Sequence, residues 1–359
     1  MRIGIDAREL SGKPTGVGRY LACLLDEWMK PDGPAGEFRL YSPTHLEFRI
    51  SNPRFTACVV PGGSGTRWEQ FRLPRALAGD RLDVFFAPAY TAPLGLNVPV
   101  ALTIHDLSFL AHPEWFAPRE RWRRGWLTRR SAARARVILT VSMFSKTEIV
   151  ERLRVPEARV RVVPHGVRLP DGPPFTTAPR EPLVLFAGSI FNRRRVPDLI
   201  RAFAPIAREH PGARLEVVGE NRSYPRQDLA QVVTEAAVGD TVGLRAWVPD
   251  EELARLYGRA RAFAFLSEYE GFGLPPLEAL AAGVPPVLLD TPVAREVCGD
   301  AALYVAAGDR EACTAALRAL LFDETVRARV LAAAPAELAR YNWARAASAT
   351  IAAIRDAAG

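Results

Sequence analysis

The chain has 359 residues, a length that fits two domains of roughly 150 to 180 residues each. With 48% hydrophobic, 9% aromatic and 24% charged residues, its composition is that of a folded protein and excludes disorder of the whole chain. The formal charge of +7 at pH 7 calls for an anionic counterpart, which is a phosphate-bearing ligand, a nucleic acid or an acidic membrane surface. The opening MRIGID reads as a short strand ending on an acid and lacks the long apolar stretch of a secretory leader. Further strands are expected at 38–41, 55–60, 84–86, 100–103, 137–140 and 160–163, with helices near 18–28, 67–77, 119–133 and 145–153. Short, continuously apolar strands alternating with amphipathic helices predict parallel strands buried on both faces. Residues 84–104 are uncharged over enough length to span a bilayer, but Pro88, Pro93 and Pro99 with Gly95 and Asn97 break any helix there, leaving two buried strands. Ser145 followed by Glu148 reads as a capping box, with Lys146 a solvated helix residue.

Between Pro164 and Pro182 stand six prolines and two glycines, which places an interdomain linker there. The alternation then restarts, with strands at 183–186, 215–218, 242–244, 262–266 and 287–289. Helices are expected at 197–209, 229–238, 251–260, 274–281 and from about 310 onward. Each half therefore reads as a doubly wound α/β unit, with ligands outside the carboxyl ends of its strands. Cys23, Cys58, Cys298 and Cys313 form no CxxC pair, so they are expected to be buried thiols in a reducing cytosol and no metal site is indicated.

Four stretches carry chemistry. SEYEGFGLPPLEALAAGVP begins at Ser267, after an apolar strand, and places Glu270 and Glu278 eight positions apart around Gly271, Phe272, Gly273 and Leu274. A strand, a glycine turn and a helix start with proline offer free backbone amides to an anion, while the two glutamates can accept bonds from one polyol; the spacing alone fits turn glycines with two surface glutamates equally well. Phe186 to Arg195 (FAGSIFNRRR) ends a strand with Arg193, Arg194 and Arg195, guanidiniums that repel one another unless an anion such as a diphosphate joins them. His105-Asp106 closes the strand ending near Ile104. Thr15-Gly16-Val17-Gly18-Arg19 follows the first strand, and its glycines allow backbone contact with phosphate or acceptor; Leu21 stands where a dinucleotide fingerprint needs its third glycine. Between Trp115 and Arg136, eight arginines interleave with Trp115, Phe116, Trp122 and Trp126, reading either as a helix that docks on an anionic membrane or as a solvated face with inward tryptophans. No nucleic-acid motif accompanies the charge.

These stretches, with MRIGIDARELSGKPTGVGRY, HDLSFLAHPEWF and VVPHGV, occur in an order that resembles glycosyltransferase family 4, retaining enzymes of the GT-B fold, over nearly the whole chain. The resemblance implies two Rossmann-like domains facing across a cleft. It implies an acceptor-side domain at 1–170, a nucleotide-sugar domain at 180–341 and a last helix at 342–359 that returns to the first domain. It also implies that Glu278 binds the ribose, that Glu270 and His105 lie at the transferred sugar, and that the amides of Phe272, Gly273 and Leu274 lie near sugar and diphosphate. In this family the arginine turn carries Arg followed by Lys, and Arg194 stands in the lysine's place; which of Arg193, Arg194 and Arg195 meets the leaving group stays open. The implied reaction is metal-independent, cofactor-free transfer of a hexosyl group, with mannose from GDP-mannose favoured, from a nucleoside diphosphate sugar to a glycan or lipid-linked acceptor. It would take place in the cytoplasm or at the inner membrane face. An NAD-dependent dehydrogenase or epimerase and a non-catalytic binding module are the alternatives. Base, sugar, acceptor and oligomeric state are open.

Overall fold

A computed structural model describes residues 1–12, 16–168 and 180–359; Thr15 of the glycine turn and the linker residues Pro170, Gly172, Pro173, Pro174 and Pro179 lie outside them. The chain divides into two units, one of Met1–Leu110, Arg119–Gly166 and Tyr341–Gly359, the other of Ala111–Pro118 and Val167–Arg340. The first domain expected from the sequence runs unbroken to residue 170, whereas Ala111–Pro118 groups with the second unit. His112 stacks on Trp115 there (ring centroids 4.0 Å) and meets Tyr269 edge-on at 5.4 Å.

In the first unit the strands β1 (Arg2–Asp6), β2 (Glu37–Ser42), β3 (Phe55–Val59), β4 (Val84–Ala87), β5 (Val100–Thr103), β6 (Val137–Thr140) and β7 (Val160–Val162) form one parallel sheet in the order β3-β2-β1-β4-β5-β6-β7. The second unit holds β8 (Glu181–Ala187), β9 (Arg214–Val218), β10 (Val242–Arg245), β11 (Ala260–Phe265), β12 (Pro286–Leu289) and β13 (Leu303–Val305), parallel in the order β10-β9-β8-β11-β12-β13. Strands β4, β5, β6 and β12 are buried at every position, as helices on both faces require, while the edge strands β3 and β10 keep exposed positions. Each order reverses once, between β1 and β4 and between β8 and β11. At such a switch point neighbouring connections leave on opposite faces, and a crevice opens at the carboxyl ends of the strands.

The last helix, Trp343–Ala358, packs in the first unit. Asn342 caps it by accepting from the Arg345 amide, and Ala347, Ile351 and Ile354 share a core with Leu21, Leu24, Leu25 and Trp28, whose indole donates to the Ala347 carbonyl at 3.0 Å. Two sequence expectations are corrected. The helix Met143–Leu153 is capped by Ser142, which accepts from the Ser145 amide, because two more residues wind before the position taken as the cap; Lys146 pairs with Glu157 at 3.0 Å. Cys298 and Cys313 are buried, but Cys23 and Cys58 are half-exposed: Cys58 stands on the edge strand β3, and Cys23 sits on the side of its helix away from the buried Leu21, Leu24 and Leu25.

Candidate active site

In the second unit the arginine turn leaves β8 and the Ser267–Leu274 segment leaves β11, so both open onto the crevice at the switch point between these paired strands. The turn reverses tightly. Gly188 has φ +137°, and a Cβ there would stand 2.8 Å from Arg194 Nη1. Arg195, in the left-handed conformation (φ 47°), caps the helix Val196–Glu209. Arg194 donates from Nε to Glu270 Oε1 at 2.8 Å and from Nη1 to the Ser189 carbonyl at 2.8 Å, and Arg193 Nε lies 3.6 Å from the same Glu270 oxygen. Ser267 donates to that oxygen at 2.9 Å. Arg194 lies over Phe265 (4.7 Å) and Arg193 over Phe191 (4.5 Å), contacts that suit a delocalised, weakly hydrated guanidinium.

The three arginines thus keep their charge by pairing within the protein. Glu270 serves Arg193 and Arg194, while Arg195 turns aside to Glu268 (2.7 Å) and Asp198 (2.6 Å). Burial pushes the Glu270 carboxyl up, but Arg194, then Arg193, with the hydrogen bonds from Arg194 and Ser267, outweigh it and hold the group below the usual carboxylate range. The helix Leu274–Ala281 starts from Gly273 at φ +110°, and Pro275 and Pro276 remove two amides from its first turn. The backbone amides of that end are therefore those of Gly271 to Leu274. Glu278 is half-buried on this helix, about one turn in. A pocket lined by Ser267, Glu270, Phe272, Gly273, Leu288 and Thr291 opens beside the segment.

The other predicted residues belong to the first unit. His105 follows β5 and is buried, with Nε2 2.9 Å from the Pro88 carbonyl. Gly16 is the exposed first residue of the helix Gly16–Trp28 and Gly18 lies buried two residues further. In the helix Pro118–Arg134, Trp122 (71%) and Trp126 (43%) are exposed, so these two tryptophans do not pack inward; Arg124 does, over the rings of Tyr90 (5.2 Å) and Phe109 (5.4 Å). The sequence assigned no role to Ser267, Ser189, His165 or Tyr20. All four stand inside quoted motifs, and that place was their only signal, because the contacts that give each a role are set by the fold.

A family model described as Glycosyltransferase Family 4 matches residues 15–170, and one described as Glycosyl transferases group 1 matches residues 173–336. O-antigen chain mannosyltransferase B of Escherichia coli is 30% identical over 282 residues, covering 75% of this chain and 73% of that protein. The chain belongs to glycosyltransferase family 4. A GDP-mannose:cellobiosyl-diphosphopolyprenol alpha-mannosyltransferase of Xanthomonas campestris is 32% identical over 46% of this chain and 43% of that protein. Among solved structures, sucrose-phosphate synthase from Thermosynechococcus elongatus superposes with a TM-score of 0.79 at 18% identity, over 99% of this chain and 98% of that one, which shows the GT-B fold. The family 4 chain is therefore a glycosyltransferase with mannosyltransferase relatives, and the dehydrogenase and non-catalytic readings are set aside. Among the described residues, no helix of this glycosyltransferase is long and apolar enough to cross a membrane, and no cluster of three or more His, Cys, Asp or Glu is placed to hold a metal ion.

Proposed function

We propose that this glycosyltransferase moves a mannosyl group from GDP-mannose to a hydroxyl of a lipid-linked cell-surface glycan, with retention of anomeric configuration and without a metal ion. The observation that carries the reading is the meeting of the arginine turn and the Glu270 segment at one switch point, between β8 and β11. In this reading Glu278 accepts the ribose hydroxyls, the amides of Phe272, Gly273 and Leu274 face sugar and diphosphate, and Arg193 and Arg194 take up the charge that grows on the leaving phosphate. Glu270 and the Ser189 carbonyl fix Arg194 in advance, so little reorganisation accompanies that charge. Arg195, spent on Glu268 and Asp198, supports the turn. His105 lies at the transferred sugar. The departing phosphate helps deprotonate the acceptor on the same face, and no protein nucleophile takes part.

GDP-mannose rests on the relatives named as mannosyltransferases, one of which carries that donor in its name. The lipid-linked acceptor rests on the helix Pro118–Arg134, where exposed Trp122 and Trp126 stand among the exposed Arg119, Arg121, Arg129 and Arg130, a mixture suited to an anionic bilayer surface. The enzyme would then work at the cytoplasmic face of the membrane.

Purified protein given GDP-mannose, UDP-glucose or UDP-N-acetylglucosamine, with anionic membrane lipid extract as acceptor, tests this. The expected result is release of GDP from GDP-mannose, an α-linked product seen by NMR, and a rate unchanged by EDTA. A β-linked product, a preference for a UDP-sugar, or loss of activity that Mg²⁺ restores each contradicts the corresponding part.

A further inference from the structure

Around His105 the first unit builds a box of aromatic rings. The Pro88 carbonyl accepts from Nε2, so the neutral ring carries its proton there and leaves Nδ1 as an acceptor. Three rings fix the imidazole plane. Tyr20 stands edge-on (centroids 4.9 Å, 84°), Tyr90 stands at 5.7 Å and 60°, and His165 lies nearly parallel at 5.4 Å and 28°. His165, just after β7 and 6% exposed, is itself wedged between Tyr20 (4.9 Å) and Trp343 (5.7 Å). The neighbouring Gly166 makes this possible, because a Cβ there would stand 2.4 Å from Trp343.

We propose that His165 is a positioning residue that holds the His105 ring in its plane and uncharged while sugar is transferred. The inference rests on the reading that His105 serves the transferred sugar. Two imidazoles 5.4 Å apart in one desolvated box do not both take protons. Burial lowers the proton affinity of His105, and burial followed by the proximity of His105 lowers that of His165 well below the usual histidine range. The other groups facing the pair do not reverse this. Asp106 on the same loop and Glu9 after β1 favour a charged His105 less strongly than burial opposes it; the Tyr20 hydroxyl is pushed up to about 12 and stays neutral; Arg124 lies over the Tyr90 ring. Without His165, one face of His105 loses its cover and the ring gains freedom to tilt and to take water.

The experiment compares full-length wild type with His165→Ala, His165→Gln and His165→Phe. Of the five histidines in the chain, the ¹⁵N imidazole signal of His105 is assigned by its disappearance in His105→Asn. The expected wild-type form is neutral and protonated on Nε2 at pH 7, with the titration of His105 moving upward in His165→Ala and His165→Gln but staying at the wild-type position in His165→Phe. Turnover of GDP-mannose should fall at least about tenfold in the Ala and Gln variants and return to within about threefold in the Phe variant, with affinity for GDP unchanged in all. An unchanged His105 titration in both ringless variants, or no rescue by Phe, overturns the proposal. Should wild type turn over no nucleotide sugar, the transferase reading falls while the imidazole spectra still judge the brace.

Discussion

Single side chains in this enzyme are held by bonds between residues far apart in sequence. Glu270 is the clearest case. Its folded carboxyl lies below its ordinary value of 4.5, so its contribution to stability is present above pH 4.5 and is lost as pH falls through the lower folded value. Glu270→Ala would leave Arg193 and Arg194 buried without their shared counter-charge and should destabilise the second unit by about 3–5 kcal/mol, the range for breaking a buried pair; denaturant unfolding checks it, and a loss under 1 kcal/mol refutes the pairing. Asp6 behaves oppositely. It is buried with Glu69 around the single guanidinium of Arg8, and burial, only partly offset by Arg8, raises its carboxyl from 3.8 to about 6. Its folded form therefore favours the proton: stability is fully present below pH 3.8 and is lost as pH rises through about 6. Asp6→Asn leaves one Glu69 with one Arg8 and should raise the melting temperature at pH 8 but not at pH 4, by a shift equivalent to about 1–3 kcal/mol. Equal melting temperatures at pH 8 would contradict the strain assigned to Asp6. The sequence showed the arginines and Glu270 as chemistry-bearing residues because each stands inside a dense local motif. It could not show that Glu270 neutralises Arg194, 76 positions away, or that Arg195 faces elsewhere, since such pairings are set by strand order.

Among the elements, the two most consequential are helices with one unusual end or face. The helix Leu274–Ala281 begins from a glycine at φ +110° whose added Cβ would meet nothing within 4 Å, so Gly273→Ala tests backbone strain alone. A cost of about 1–3 kcal/mol is expected, either as lost stability or as a turn that relaxes and weakens nucleotide binding roughly tenfold or more; unchanged melting and unchanged binding would mean that the turn tolerates another conformation. The helix Pro118–Arg134 divides its arginines. Arg124 packs inward over Tyr90 and Phe109, whereas Arg121, Arg129 and Arg130 are exposed beside Trp122 and Trp126. Changing these three to Glu should abolish co-sedimentation with anionic vesicles at low salt and leave GDP binding intact, since attraction at a surface is screened over about 8 Å at physiological salt. Wild type remaining in the supernatant at low salt would make the face a solvated one. Most strands were legible, because runs such as VFFA, VALT and VILT are apolar at each position. The cap at Ser142 was not, because Ser142 and Ser145 each satisfy the local pattern and only the path of the chain decides between them.

For the molecule as a whole, alternation of strands and helices predicted two α/β units, but not the order of strands in either sheet, which depends on pairings between segments up to some 80 residues apart, such as Ala260 with Glu181. Nor could periodicity show that Ala111–Pro118 belongs with the second unit, where His112 meets Tyr269. The sheet order matters for function because it brings the strand before the arginine turn beside the strand before Glu270, and the crevice between them is where the account places the nucleoside diphosphate. Calorimetric titration of GDP and of UDP into wild type, Glu278→Ala and Arg194→Ala tests that placement most directly. Both substitutions remove charge-assisted bonds worth about 1.5–3 kcal/mol each, so the account predicts affinity for the preferred nucleotide lowered by about tenfold or more in each variant with the fold retained. Wild-type affinity in both variants would contradict it.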